Sequence, residues 1–127
     1  MNKAVCLMRK RNIEGHIFNI ISVAGHYLIP SVGPLNVYSA SKHAALALTQ
    51  TVRLEIAEIK APIRVTSISP GIVQTNIFEH SDTMRDFIEK VPTLQPSDIA
   101  DAVIYALGTR PEVQITEFTI QPTGESF

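Results

Sequence analysis

The residues best suited to chemistry are Tyr38 and Lys42, in the run Tyr38-Ser39-Ala40-Ser41-Lys42. Four positions apart at a helix start, both side chains project from one face. A phenol is a poor acid or base near neutrality because its reference pKa is about 10. One ammonium about 4 Å away, at an effective dielectric near 20, contributes about 4 kcal/mol toward the phenolate. Bringing a phenol to neutrality costs about the same, at 1.36 kcal/mol per pH unit. The spacing therefore permits a tyrosine tuned for proton transfer. Tyr and Lys four apart also occur on helices with no such role, so the pair alone is not decisive.

Two further segments give the pair a context. Ser22 stands sixteen residues before Tyr38, at the C-terminal end of a predicted strand. Sites in open α/β sheets form at such strand ends. A hydroxyl there can donate to a substrate carbonyl oxygen while Tyr38 delivers the proton; its alternative is a serine satisfying backbone groups in a turn. A second predicted strand ends in Pro70-Gly71-Ile72-Val73-Gln74-Thr75. Gly71 allows a ligand close to the backbone, and Thr75 can bond a phosphate oxygen. The alternative there is an ordinary Pro-Gly turn.

These residues must be held by a recognisable set of elements. Residues 1–11 read as the end of a helix, with Arg9, Lys10 and Arg11 where a helix C-terminus favours cations. His16 to Ser22 is a nearly continuous apolar strand, which suits a parallel sheet covered on both faces. A long loop, Ala24 to Val37, contains Gly25, Pro30, Gly33 and Pro34. The longest helix is predicted from about Tyr38 to Lys60, with Ala44, Leu48, Val52, Ile56 and Ile59 as its apolar stripe and Pro62 ending it. Ile63 to Ser69 is the second strand. Thr75 to Pro92 is weakly patterned, with a short helix around Thr83 to Lys90, and its apolar stretch Phe78 to Phe87 suggests a greasy pocket lid. A helix from near Pro96 to Gly108 and a strand over Glu117 to Gln121 close the chain. Strand, helix, strand, helix, strand is the pattern of an α/β sheet with parallel crossovers.

Composition bounds the function. The chain has 127 residues, 45% hydrophobic and 18% charged, which fits one domain at most and excludes a disordered tail. A net charge of −1 gives no surplus of cations for nucleic-acid binding by bulk electrostatics. No apolar run approaches the roughly 20 residues of a membrane span, and no signal peptide is seen, so a cytoplasmic protein is expected. Cys6 is single and cannot form an internal disulfide. His16, His26, His43 and His80 are scattered without metal-ligand spacing and read as structural. Tyr105 and Phe118 read as core or dimer-contact aromatics.

Taken together, Gly15 to Gly25, Tyr38 to Lys42 and Ser69 to Thr75 strongly resemble the short-chain dehydrogenase/reductase family. The likeness runs over nearly the whole chain. Asp98 to Leu107 looks like the family's penultimate helix, and Met8 to His26 looks closest to the dehydrogenase/reductase member 11 type and its insect farnesol-dehydrogenase-like relatives. The resemblance implies a Rossmann-like doubly wound parallel sheet with flanking helices. It also implies hydride transfer between NAD(P)H and a carbonyl or secondary alcohol, without a metal. Tyr38 would be the general acid or base, and Ser22 would polarise the substrate oxygen. Lys42 would assist Tyr38 and hold the nicotinamide ribose. Pro70, Gly71, Ile72, Val73 and Thr75 would line the nicotinamide and pyrophosphate. NADP is somewhat favoured over NAD, and the substrate would be a small hydrophobic carbonyl or alcohol. In the family, the helix beginning at Tyr38 and the one before Ser22 pack on a partner subunit, which implies a homo-oligomer.

The sequence also departs from the family pattern. The glycine-rich turn after the first strand, the Asn-Asn-Ala-Gly motif and the helix asparagine of the catalytic tetrad are all absent. Residues 1–127 therefore read as one partial domain, the C-terminal half of such a fold, expected to be inactive alone and to expose apolar sheet edges. The gap from Ser22 to Tyr38 is a few residues longer than the family's usual. A non-catalytic fragment or dimerisation module is the competing reading. An epimerase or dehydratase using the same Tyr/Lys pair is a weaker third.

Overall fold

The structure, a computed structural model, describes residues 1–29 and 37–125, without the side chain of Phe78. Part of the expected long loop, 30–36, therefore lies outside the described residues. The elements follow in the order α1 (Asn2–Lys10), β1 (Gly15–Ile20), α2 (Tyr38–Glu58), β2 (Ile63–Pro70), α3 (Asp82–Ile88), α4 (Pro96–Leu107) and β3 (Glu117–Ile120). Short 3₁₀ turns at Val23–Gly25 and Asn76–Phe78 interrupt the loops after β1 and β2.

The three strands form one parallel sheet in the order β1-β2-β3. Ile17 pairs with Val65 and Ser67 with Glu117. Central β2 is buried along almost its whole length, as a parallel strand covered on both faces should be. On one face Val5 of α1 and Ile56 of α2 pack with Ile63 and Val65 as a core cluster. Burying each such side chain contributes about 1.5–3 kcal/mol. Also on this face, Arg53 of α2 donates to the carbonyls of Val65 and Thr116. On the other face Arg64 donates to Ala106 O and Thr109 O at the end of α4, where a cation is favoured, and Tyr105 meets Phe118 edge to face. Helices thus cover both faces, as expected of the doubly wound class. No described helix is long and apolar enough to cross a membrane.

Two expectations need correction. The apolar stripe of α2 meets the sheet only in part: Val52 and Ile56 pack in the core, Leu48 is 60% and Ile59 44% exposed, and Ser39, Leu46 and Thr49, outside the stripe, are buried. Thr49 is hydrogen-bonded by Asn19, so the seam between helix and sheet is partly polar and escapes a purely hydrophobic pattern. Nor does Pro62 end the helix. Lys60 takes φ 51°, its N–H bonds Ala57 O, and Ala61 N–H bonds Ile56 O, a Schellman closure. Asn12, at φ 49°, closes α1 in the same way.

Candidate active site

Strand β1 ends at Ile20, two residues short of Ser22. Ser22 instead caps the Val23–Gly25 turn, its Oγ accepting the Ala24 N–H at 3.1 Å. Among the described residues nothing takes the hydroxyl's own proton, which is left for another acceptor. Gly25 brings this turn against the helix that follows: a Cβ there would stand 3.1 Å from Lys42 O and 3.3 Å from Ile21 Cγ2. A side chain there would have to push the two segments apart by a few tenths of an ångström.

Tyr38 opens α2 and is half-buried. One turn along, the Lys42 ammonium lies 5.4 Å from the centroid of the Tyr38 ring, within cation–π range. Neither the Tyr38 hydroxyl nor the Lys42 ammonium has a hydrogen-bond partner among the described residues.

Pro70 ends β2, and the Gly71 N–H donates to Ile120 O of β3 at 2.7 Å. The chain beyond is pinned by Leu94: Leu94 N–H donates to Ile72 O, and Gln74 N–H to Leu94 O, each at 2.8 Å. Thr75 then caps the Asn76–Phe78 turn by accepting from Ile77 N–H at 3.4 Å, which leaves its hydroxyl proton free.

These segments surround a cavity of about 400 Å³. Ser22, Tyr38, Pro70, Gly71, Ile72, Val73 and Thr75 all line it. Lys42 does not; its ammonium reaches only the ring of Tyr38. The remaining wall is apolar, with Ile29, Ile77, Met84, Phe87 and Ile88 among its members, so α3 forms the greasy side expected of its segment. Among the described residues, only Ser22, Tyr38 and Thr75 bring polar side chains to the cavity, and no charged side chain lines it. Such a site can hold an apolar body and offer it hydroxyl donors.

Other polar residues here escape sequence reasoning. Glu125, from the chain's end, folds onto the Pro70-Gly71 turn and accepts from Ile72 N–H at 3.3 Å. Its carboxylate occupies the space a Cβ of Gly71 would need, so on that side Gly71 admits the protein's own tail, not a ligand. His26 meets Ser69 and Glu117. No local motif marks these contacts, which join residues 43 to 91 positions apart.

A strand, a serine-capped turn, a helix opening with Tyr and Lys, and a Pro-Gly strand end around one cavity define a class. The short chain dehydrogenase family model matches residues 1–86, and the chain belongs to that family. It is 47% identical over 126 residues to a farnesol dehydrogenase of Aedes aegypti, covering 98% of this chain and 49% of the relative. It is 42% identical over 122 residues to dehydrogenase/reductase SDR family member 11 of Mus musculus, covering 91% and 46%. The chain thus spans about half the length of the curated relatives it matches. Among solved structures it resembles serine dehydrogenase in its closed form with NADP+, at TM-score 0.80 and 29% identity, covering 100% of this chain and 52% of that one. A 4-hydroxyisoleucine dehydrogenase complexed with NADH follows at TM-score 0.73 and 28% identity, covering 98% and 53%.

Proposed function

We propose that these residues serve an NAD(P)-dependent oxidoreductase that interconverts an apolar alcohol and its ketone or aldehyde. The observation that carries this reading is the convergence of Ser22 and Tyr38, each with an uncommitted hydroxyl proton, on one apolar cavity beside Pro70 to Thr75. The residues suit a nicotinamide cofactor. Pro70 and Gly71 form a floor without long side chains, Thr75 has a free hydroxyl proton for a phosphate oxygen, and the Lys42 ammonium is free to take ribose hydroxyls. NADP is somewhat favoured over NAD by family resemblance. When bound, the cofactor supplies the hydride donor or acceptor.

Within that chemistry Ser22 donates to the substrate oxygen and fixes its place. Tyr38 gives its hydroxyl proton to that oxygen as hydride reaches the carbonyl carbon, and takes the proton back in the oxidative direction. Lys42, beside the ring, favours the phenolate left behind. The wall from Ile77 to Ile88 takes up the apolar substrate body. Farnesol dehydrogenase activity, named for the mosquito relative, fits such a wall. We place the enzyme in the cytoplasm, and we read residues 1–127 as the C-terminal half of its domain. The test is steady-state turnover of farnesol with NADP+ in the full-length polypeptide; activity lost in Ser22→Ala and Tyr38→Phe supports the assignment, and activity kept in both refutes it.

A second reading has its own support. Leu7 of α1 is 49% exposed, and Leu48 and Leu54 of α2 are 60% and 72% exposed, which suits helices that pack on a second copy. On this reading the 127-residue chain alone is an inactive dimerisation module. Light scattering of the purified chain separates the two: a dimer without turnover favours the module, and turnover favours the enzyme.

A further inference from the structure

Beside the cavity, three polar side chains from three elements meet. His26 follows the turn capped by Ser22 and places Nε2 2.6 Å from Glu117 Oε1 and 3.2 Å from Ser69 Oγ. Ser69 Oγ donates to the same Glu117 oxygen at 2.9 Å. In the parallel register Ser67 pairs with Glu117, so Ser69 and Glu117 share the face that the turn covers. Both His26 and Glu117 are about three-quarters buried, with side-chain exposures of 24% and 25%. Glu117 Oε1 can only accept, so Nε2 carries a proton.

A histidine, a buried serine and a carboxylate suggest a nucleophilic array, but the geometry refuses it. Serine and carboxylate meet the same ring nitrogen, so the imidazole cannot relay a proton between them. Ser69 is also fully buried and reaches no substrate.

The cluster does something else. Ser69 immediately precedes Pro70, and His26 lies four residues after Ser22. The other hydrogen bonds made by residues 22–27 run within the turn itself. Ile21, just before the turn, donates its N–H to Ile68 O of β2 at 2.7 Å, and from Ser22 onward the His26 bonds are the only ones, among the described residues, that join the turn to the ends of β2 and β3. We propose that His26, Ser69 and Glu117 are positioning residues that set Ser22 against the Pro70-Gly71 turn. This rests on the reading above, in which Ser22 holds the substrate oxygen. Displacing a catalytic group by about 1 Å costs up to about 100-fold in rate, so releasing the turn lowers kcat while the substrate-binding wall stays in place.

The experiment is a double-mutant cycle in the full-length polypeptide, with farnesol plus NADP+ and a medium-chain methyl ketone plus NADPH as probes. Glu117→Ala is expected to lower kcat roughly 10-fold, with KM for the apolar substrate and Kd for NADPH within about two-fold. Glu117→Gln, which keeps an acceptor oxygen, recovers most of the loss. In a Ser22→Ala background the Glu117→Ala effect shrinks to less than about two-fold, because the residue it positions is gone. An unchanged kcat in Glu117→Ala, or a loss that simply adds to that of Ser22→Ala, overturns the inference while leaving Ser22 catalytic. A silent Ser22→Ala removes the catalytic reading and the inference with it. Should Glu117→Ala not fold, His26→Phe keeps a ring and deletes both bonds; it enters the same cycle with the same two outcomes.

Discussion

The Lys42 ammonium stands 5.4 Å from the centroid of the Tyr38 ring, one turn further along α2. It lies outside the cavity that Tyr38 lines. This arrangement separates two tasks that sequence spacing alone merges. Tyr38 faces the site from the first position of the helix, while Lys42 stands beside it with no hydrogen-bond partner among the described residues. An uncommitted ammonium next to a half-buried phenol can serve both the phenol and a second ligand.

Removing that ammonium should tell first on the cofactor. Charge-assisted hydrogen bonds contribute about 1.5–3 kcal/mol each. Lys42→Ala in the full-length polypeptide is therefore expected to weaken NADPH binding at least about 10-fold by fluorescence titration. Affinity within two-fold of wild type would exclude Lys42 from the cofactor site.

His16 gives the fold a pH dependence of definite sign. Its Nε2 bonds Thr66 Oγ1 at 2.8 Å, and that hydroxyl spends its own proton on Ile115 O. We therefore assign the ring proton to Nε2, which leaves Nδ1 buried without a partner. Protonating Nδ1 would bury an unpaired N–H. Burial first, and the Arg64 charge second, hold the His16 pKa below its usual value of 6.5. As pH falls the unfolded chain binds this proton before the folded one, so stability rises with pH in that window. The contribution is complete above about pH 6.5 and declines as pH falls through that value toward the lower folded pKa. Urea unfolding of the chain at pH 7.5 and 5.5 should show a loss on acidification that is smaller in His16→Gln. An equal loss in both would refute the assignment.

Lys60 is a Schellman position filled by a residue with a side chain, at φ 51°. The left-handed conformation costs an L residue about 1–2 kcal/mol, partly offset by the greater unfolded-state freedom of glycine. Lys60→Gly should therefore stabilise the chain by about 1 kcal/mol in urea unfolding. Destabilisation would mean that the Lys60 side chain makes a contribution the backbone argument omits.

What was legible in the sequence, and what was not, follows the range of the interactions. The strands and helices could be placed because the first strand reads as a near-continuous apolar run, β2 carries Ile63, Val65 and Ile68 before the Pro70-Gly71 break, and α2 ends close to a proline. Tyr38, Lys42, Ser22 and the Pro70-Gly71 turn stood out because each belongs to a short motif. The buried face of α2 was legible only in part, through Val52 and Ile56, because its seam also includes Ser39 and Thr49, and the Thr49 hydroxyl donates to Ala45 O and accepts from Asn19. The meeting of His26 with Glu117 could not be read at all. It depends on the register of β2 against β3, which brings together residues 91 positions apart. Glu125 at Gly71 is hidden for the same reason.

The central claim is that Tyr38 moves the proton, and single-turnover hydride transfer tests it most directly. Wild type and Tyr38→Phe full-length polypeptides would be mixed with substrate and cofactor in a stopped-flow instrument, with NADPH affinity measured alongside. General acid–base catalysis contributes roughly 100- to 10,000-fold. The expected result is a fall of that size in the hydride-transfer rate, with NADPH affinity within about two-fold. A Tyr38→Phe rate within two-fold of wild type would contradict the account.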